Sequence, residues 1–425
     1  MRTMKDSGIE WVKNIPSTWD VAYLSAVLSE RKNKNIGMKE NNLLSLSYGN
    51  VIRKDITTSD GLLPESFEGY NIIEKDDIVL RLTDLQNDHR SLRTGLCKER
   101  GIITSAYCTL KKNSTNYDSR FLQYYLHSFD ICKGFYGMGA GVRQGLNYDG
   151  IRQIEIVLPP LAEQTAIADC IAKKSEKVDV LIANQEAQIE KLKAYKQSLI
   201  TEIVTKGLNP NVLMKDSGVE WIGLIPKHWR IISTKYLFQI ESGATPKSEN
   251  PEYFDGDIPW ITPADYKTEE IFVSGGRRNI SELGLRSCST TLIPRGSLIF
   301  SKRAPIGAVA INSEELCTNQ GCLSCIPKTD DNVKYYYYVM SVCTEQYNLL
   351  GSGTTFKEIS ATNFANFVLP NPSVCEQEEI VAYLDEKCSK VDRLIAIKNA
   401  KIDKLNQYKK SLIYEYVTGK KEVSC

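Results

Sequence analysis

Residues 4–11 read MKDSGIEW and residues 214–221 read MKDSGVEW. In both copies three residues separate the tryptophan (Trp11, Trp221) from an Ile-Pro pair (Ile15-Pro16, Ile225-Pro226). Two more separate that proline from a second tryptophan, Trp19 or Trp229. Far downstream, Val-Leu-Pro at Val157 returns at Val368, and Glu163-Gln164 returns as Glu376-Gln377. Val178-Asp179 returns as Val391-Asp392, and Tyr195-Lys196 with Ser198-Leu199-Ile200 returns as Tyr408-Lys409 with Ser411-Leu412-Ile413. The offset drifts only from 210 to 213, so the 425 residues are two tandem copies of one unit. Between the matched ends, over about 24–156 and 236–367, the copies diverge almost completely. A shared frame carries two private inserts.

Each copy ends in a long helical pattern. In the second, Leu384, Cys388, Val391, Ile395, Lys398, Ile402, Leu405, Lys409, Leu412 and Tyr416 follow by alternating steps of four and three. The first copy places Ile171, Ser175, Val178, Ile182, Gln185, Ile189, Leu192, Lys196, Leu199 and Ile203 at the equivalent positions. Such a heptad seam serves coiled-coil pairing, and polar residues at matched places (Gln185 with Lys398, Lys196 with Lys409) trade stability for register. The alternative is two amphipathic helices packed independently on their own domains. Prolines at 159, 160, 370 and 372 lie just upstream, Ser373 to Glu376 has the capping-box form, and Gly207 and Gly419 lie near the far ends. A helix over about 163–204 would be roughly 60 Å long.

The inserts read as mixed α/β with much strand. Residues 77–81 (DIVLR) and 297–301 (SLIFS) are short β-rich runs after turn-prone residues. Tyr124-Tyr125 and the run from Tyr335 to Tyr338 fall in matched places, where core-packing helical segments are favoured over base stacking.

Composition, 42% hydrophobic and 25% charged, is ordinary for soluble protein. With no apolar run long enough to span a membrane and no apolar core at the N-terminus for a signal peptide, a cytoplasmic location is expected. Most of the twelve cysteines stand singly among apolar residues, as Cys108, Cys132 and Cys170 do, which suits reduced packing thiols. Cys317, Cys322 and Cys325 lack knuckle spacing to Cys288 or Cys343. They read as a strand with Cys317, Leu323 and Cys325 on one face and Cys322 on the other, and no metal site is assigned. Catalytic signatures are missing too. The run from Gly137 to Gly141 (GMGAG) lacks the strand-and-helix frame of a nucleotide loop, and its counterpart, Gly351-Ser352-Gly353, keeps only turn character. The run from Asn250 to Tyr253 (NPEY) lacks the second proline of the amino-methyltransferase motif. His89, His127 and His228 have no partner at motif spacing. No catalytic residue and no cofactor is assigned.

The D-S-G-[IV]-E-W-x3-I-P-x2-W openings, the V-L-P segments leading to Glu-Gln and a long helix, and the two private inserts resemble the specificity subunits of type I restriction-modification systems, over the whole chain. The resemblance implies an α+β fold: two mixed α/β target-recognition domains separated by two long helices that form an antiparallel coiled coil. On that reading the first recognition domain covers 1–156, the central helix 157–207, the second recognition domain 208–367 and the distal helix 368–425. The seam then carries Ile171, Val178, Ile182, Ile189, Leu192 and Leu199 against Leu384, Val391, Ile395, Ile402, Leu405 and Leu412. Each domain would read one half of a split, asymmetric site in double-stranded DNA. The subunit itself would be non-catalytic, recruiting two methyltransferase subunits and, with restriction subunits, completing the complex.

Charge is balanced: 21 basic and 19 acidic residues over 1–161, and 15 and 17 over 208–373. Much of the phosphate affinity is therefore expected from the partners, with local patches on this chain. The candidates are Arg81, Arg90 and Arg93 in the first insert and Arg277, Arg278, Lys302 and Arg303 in the second. Two other classes stay open. A self-sufficient DNA methyltransferase or nuclease would show cofactor binding by the chain alone, whereas a purely structural scaffold leaves two large foldable inserts without a purpose.

Overall fold

The computed structural model describes residues 2–56, 64, 66–85, 92–138, 145–267, 269–303, 305–353 and 357–423. The chain forms two compact units, Met1–Glu186 with Asn399–Cys425, and Ala187–Lys398. These units cut across the linear domain boundaries expected from sequence, because each long helix is shared between them. In the first unit, Ile167 and Ile171 of the central helix and Leu412, Ile413, Tyr416 and Val417 of the distal helix enter one core with the first insert. In the second, Ile200 and Val204 join Ile380, Leu384 and Cys388 around the second insert.

The repeated motifs build the same frame in each unit. The MKDSG[IV]EW segment opens a hairpin, Met4–Asp6 with Asn14–Pro16, in which Met4 faces Pro16. In the second unit Met214–Asp216 pairs with Leu224–Pro226 in the same register, Met214 facing Pro226. The strand after the second tryptophan, Asp20–Tyr23, pairs antiparallel with Glu155–Leu158, which carries the Val-Leu-Pro segment. Its counterpart Arg230–Ser233 pairs with Val368–Asn371. Each insert is thus entered and left through two adjacent strands, so its interior is free to vary without moving the frame.

The Glu-Gln dipeptides lock that arrangement. Trp19 is fully buried, and its Nε1 donates to Glu163 Oε2 at 3.0 Å. Trp229 Nε1 donates to Glu376 Oε1, also at 3.0 Å. Burying an indole removes about 150–250 Å² from water, on the order of 4–6 kcal/mol by area. Gln164 donates to Pro159 O and accepts from Asp118 N, and Asp118 caps the insert helix Ser119–Ile131. Gln377 repeats the bridge, donating to Pro372 O and accepting from Asn332 N, the cap of Val333–Ser341.

The long helices run Leu161–Lys206 and Val374–Val417, 46 and 44 residues, slightly beyond the expected limits. The capping box forms: Ser373 N donates to Glu376 Oε2 at 3.2 Å, and Glu376 N donates to Ser373 Oγ at 3.4 Å. Gly419, at φ +70°, follows the distal helix, where a Cβ would lie 2.3 Å from Pro16 Cδ, so only glycine fits the stop against the frame. All twelve apolar seam residues are buried or half-buried, while most of the positions between them are exposed. In the first unit Lys409 Nζ reaches Asp179 Oδ1 at 2.7 Å, and Lys174 bonds Tyr416. In the second, Lys196 Nζ reaches Asp392 Oδ1 at 2.7 Å, and Lys398 bonds Gln188. In each unit rising numbers on one helix meet falling numbers on the other, so the segments run antiparallel. Lys196 and Lys409 are not unpaired interruptions of the seam, since each has a carboxylate partner on the facing helix.

The inserts differ in their sheets. The first holds a four-stranded sheet in the order Leu28–Glu30, Cys108–Lys112, Ile78–Leu80, Thr94–Leu96, with a separate hairpin Leu44–Ser47 and Asn50–Arg53. The second holds a five-stranded sheet, Phe238–Ser242, Cys322–Pro327, Leu298–Ser301, Val309–Asn312, Phe272–Val273, and a three-stranded one built on Phe254–Ile261. Both β-rich runs form strands, and the tyrosines lie on helices: Tyr125 and Tyr335 to Tyr338 are buried, while Tyr124 is half-buried. The cysteine reading needs one correction. Leu323 and Cys325 do face one core and Cys322 another, but Cys317 lies on a separate strand, Cys317–Thr318, in a third cluster. Burial pushes the thiols of Cys317 and Cys322 up to about 11 and about 12. Of the Gly137 to Gly141 run, Gly137 ends a 3-10 turn, and residues 139–141 lie outside the described residues.

Candidate nucleic-acid interface

In the second insert Lys302 and Arg303 lie at one end of the five-stranded sheet, whereas Arg277 directly precedes the strand Arg278–Ile280 of the three-stranded sheet. Arg277 is exposed and donates through Nε to Asp265 Oδ1 at 2.8 Å. Burial opposes ionisation of Asp265, but hydrogen bonds from Thr262 and Arg277 hold its carboxyl below the usual range. Lys302 and Arg303 follow the strand Leu298–Ser301 and both pair with Glu358, at 2.8 and 3.4 Å. The Lys302 amide donates to Gly321 O at 2.9 Å, which ties these cations to the turn at 319–321. Arg278 points elsewhere: its guanidinium sits 4.0 Å from the Phe254 ring centroid and 3.9 Å from Asp255. Sequence reasoning missed two neutral residues at the shared end, Thr245 and Gln320, which hydrogen-bond each other. A lone threonine and glutamine carry no pattern, so only folding reveals them.

The first insert departs further from expectation. Arg93 is buried, its guanidinium donating to the carbonyl oxygens of Arg81, Thr83 and Asp84 at 3.1, 2.7 and 3.2 Å and to Tyr136 Oη at 3.1 Å. It holds the 81–84 turn and does not face solvent, because the carbonyls it satisfies would otherwise be orphaned in the core. Arg81 is half-buried on the same turn. Arg90 and His89 lie outside the described residues. Tyr48, at the tip of the hairpin Leu44–Ser47 and Asn50–Arg53, is 83% exposed, and it borders a groove of about 750 Å³ with Gln123, Tyr124, His127, Lys409 and Lys410. Burial, then the charges of Lys409 and Lys410, push His127 down to about 4, so it is neutral at pH 7. His228 bonds Glu376 Oε1 at 2.8 Å within the frame.

Residues 226–407 match the family described as Type I restriction modification DNA specificity domain. A stretch of 166 residues is 39% identical to the type I restriction enzyme MjaIX specificity subunit of Methanocaldococcus jannaschii, covering 38% of each chain. The putative MjaX specificity subunit of the same organism is 25% identical over 430 residues, spanning 96% of this chain and 95% of the relative. The chain is thus similar to type I specificity subunits, closely over part of its length and more distantly over nearly all of it. A chain solved in work on complex assembly and conformational transition of the type I R-M system shares the fold, with a TM-score of 0.69 at 17% identity over 95% of this chain and 98% of that one. The motifs that recur in the two copies are those that close each insert here, from the Trp-Glu bonds to the Gln bridges. No helix among the described residues is long and apolar enough to cross a membrane.

Proposed function

We propose that this chain is the non-catalytic sequence-reading subunit of a type I restriction-modification complex in the cytoplasm. Each insert reads one half of a split, asymmetric site in double-stranded DNA. The two long helices form an antiparallel coiled coil that spaces the halves. The frame recruits two methyltransferase subunits and, with restriction subunits, completes the complex. The observation that carries this reading is an identical frame around two unlike sheets. Equal frames suit equal partners, and unlike inserts suit unlike half-sites. Arg81, Arg277, Arg278, Lys302 and Arg303 contribute phosphate or base-edge contacts, and the near-neutral inserts leave much of the affinity to the partners.

Two assays test this reading together. The purified chain is expected to transfer no methyl group from labelled S-adenosylmethionine and to cut no DNA, whereas with its methyltransferase partners it methylates a discrete split sequence. Methyl transfer or cleavage by the chain alone would instead support a self-sufficient enzyme.

A further inference from the structure

At the sheet end that holds Lys302 and Arg303, the turn at 319–321 is fixed by three hydrogen bonds, two to neighbouring segments and one within the turn. Asn319 N donates to Ile261 O at 2.9 Å, Gly321 N to Asn319 Oδ1 at 2.9 Å, and Lys302 N to Gly321 O at 2.9 Å. The segment carrying Thr245 is tied to the same turn, since Ala244 N donates to Thr318 O at 3.0 Å. Gly243 allows that approach, because a Cβ there would lie 2.2 Å from Thr318 O. On this rigid base Gln320 is exposed, and the Thr245 hydroxyl donates to its Oε1. The amide is therefore oriented: Nε2 is left as a donor beside an oxygen with a second lone pair. A side-by-side donor and acceptor match the N7 and N6 edge of adenine in the major groove, and an amide held before binding loses little rotamer freedom on docking.

We propose that Gln320 reads an adenine in the half-site taken by the second insert. Thr245 acts as its positioning residue, with Arg277 and Arg303 on flanking phosphates. The proposal rests on the DNA-recognition reading above and adds to it a residue and a base.

The test is methylation-site mapping in cells carrying the intact complex with the wild-type chain or with Gln320→Ala, Gln320→Glu or Thr245→Val. Gln320→Ala is expected to relax discrimination about 5- to 150-fold at one A·T position of one half-site, with the other half unchanged. Gln320→Glu keeps the shape but replaces the donor, so preference at that position moves away from adenine. Thr245→Val relaxes the same position more weakly, which a merely structural role would not do. An unchanged target in Gln320→Ala, or equal loss at every position in both Gln320 variants, overturns the proposal. If the wild-type complex methylates no discrete sequence, the DNA-recognition reading itself falls, and this proposal with it.

Discussion

Glu376 keeps its charge at a partly buried place that disfavours it. Burial raises its pKa, but hydrogen bonds from His228, Trp229 and Ser373 outweigh that and hold the carboxyl down to about 2. A folded-state pKa below the unfolded value stabilises the protein above the unfolded pKa, and that contribution is lost as pH falls from about 4.5 toward 2. Glu376→Gln is therefore expected to cost about 2 kcal/mol at pH 7. The gap to the wild type should shrink as pH falls through that window, which denaturant melts across pH would record. Arg93 gives a second expectation at this scale. Lysine cannot reach three carbonyls and a phenol at once, so Arg93→Lys should destabilise by roughly 2–4 kcal/mol. The salt dependence of DNA binding by the folded fraction should stay unchanged, whereas a shallower slope would mean that Arg93 does touch phosphate. The sequence marked Arg93 as a cation but could not mark its burial. Its partners, the 81–84 turn on one side in sequence and Tyr136 on the other, meet it only in the fold.

Among the elements, the long helices were the most legible, because a periodicity of four and three sustained over so many turns marks a helix whatever it packs against. The capping box and the glycine stops were equally readable, being local. The ion pairs Asp179 with Lys409 and Asp392 with Lys196 were not, since they belong to facing helices whose direction periodicity alone leaves open. Those pairs now inform the spacer experiment. Inserting seven residues after Leu192 and seven after Leu405 keeps the heptads in step. Asp179 with Lys409 lies to one side of both insertions and Asp392 with Lys196 to the other, so both pairs are preserved. Each helix gains roughly 10 Å, or about three base pairs of DNA. The expected outcome is unchanged half-sites with a longer non-specific gap, or loss of activity where the partners cannot follow. An active variant that methylates sites with the original gap would remove the ruler from the proposed mechanism.

For the molecule as a whole, repetition made the architecture readable before any coordinate, while divergence hid the reading surface. Frame residues recur, so their roles can be checked in duplicate: two buried tryptophans on two glutamates, two glutamines on two helix caps. Insert residues occur once. Gln320 and Thr245 stand 75 residues apart, and nothing in their spacing predicts that they meet. The central claim is that the copies share a frame yet read DNA separately. Exchange of residues 236–367 for the corresponding insert of a relative, followed by methylation-site mapping, tests it most directly. The expected result is a new sequence in one half of the target, with the other half and the gap between them unchanged. A simultaneous change in both halves, from a chimera that is still active, would contradict it.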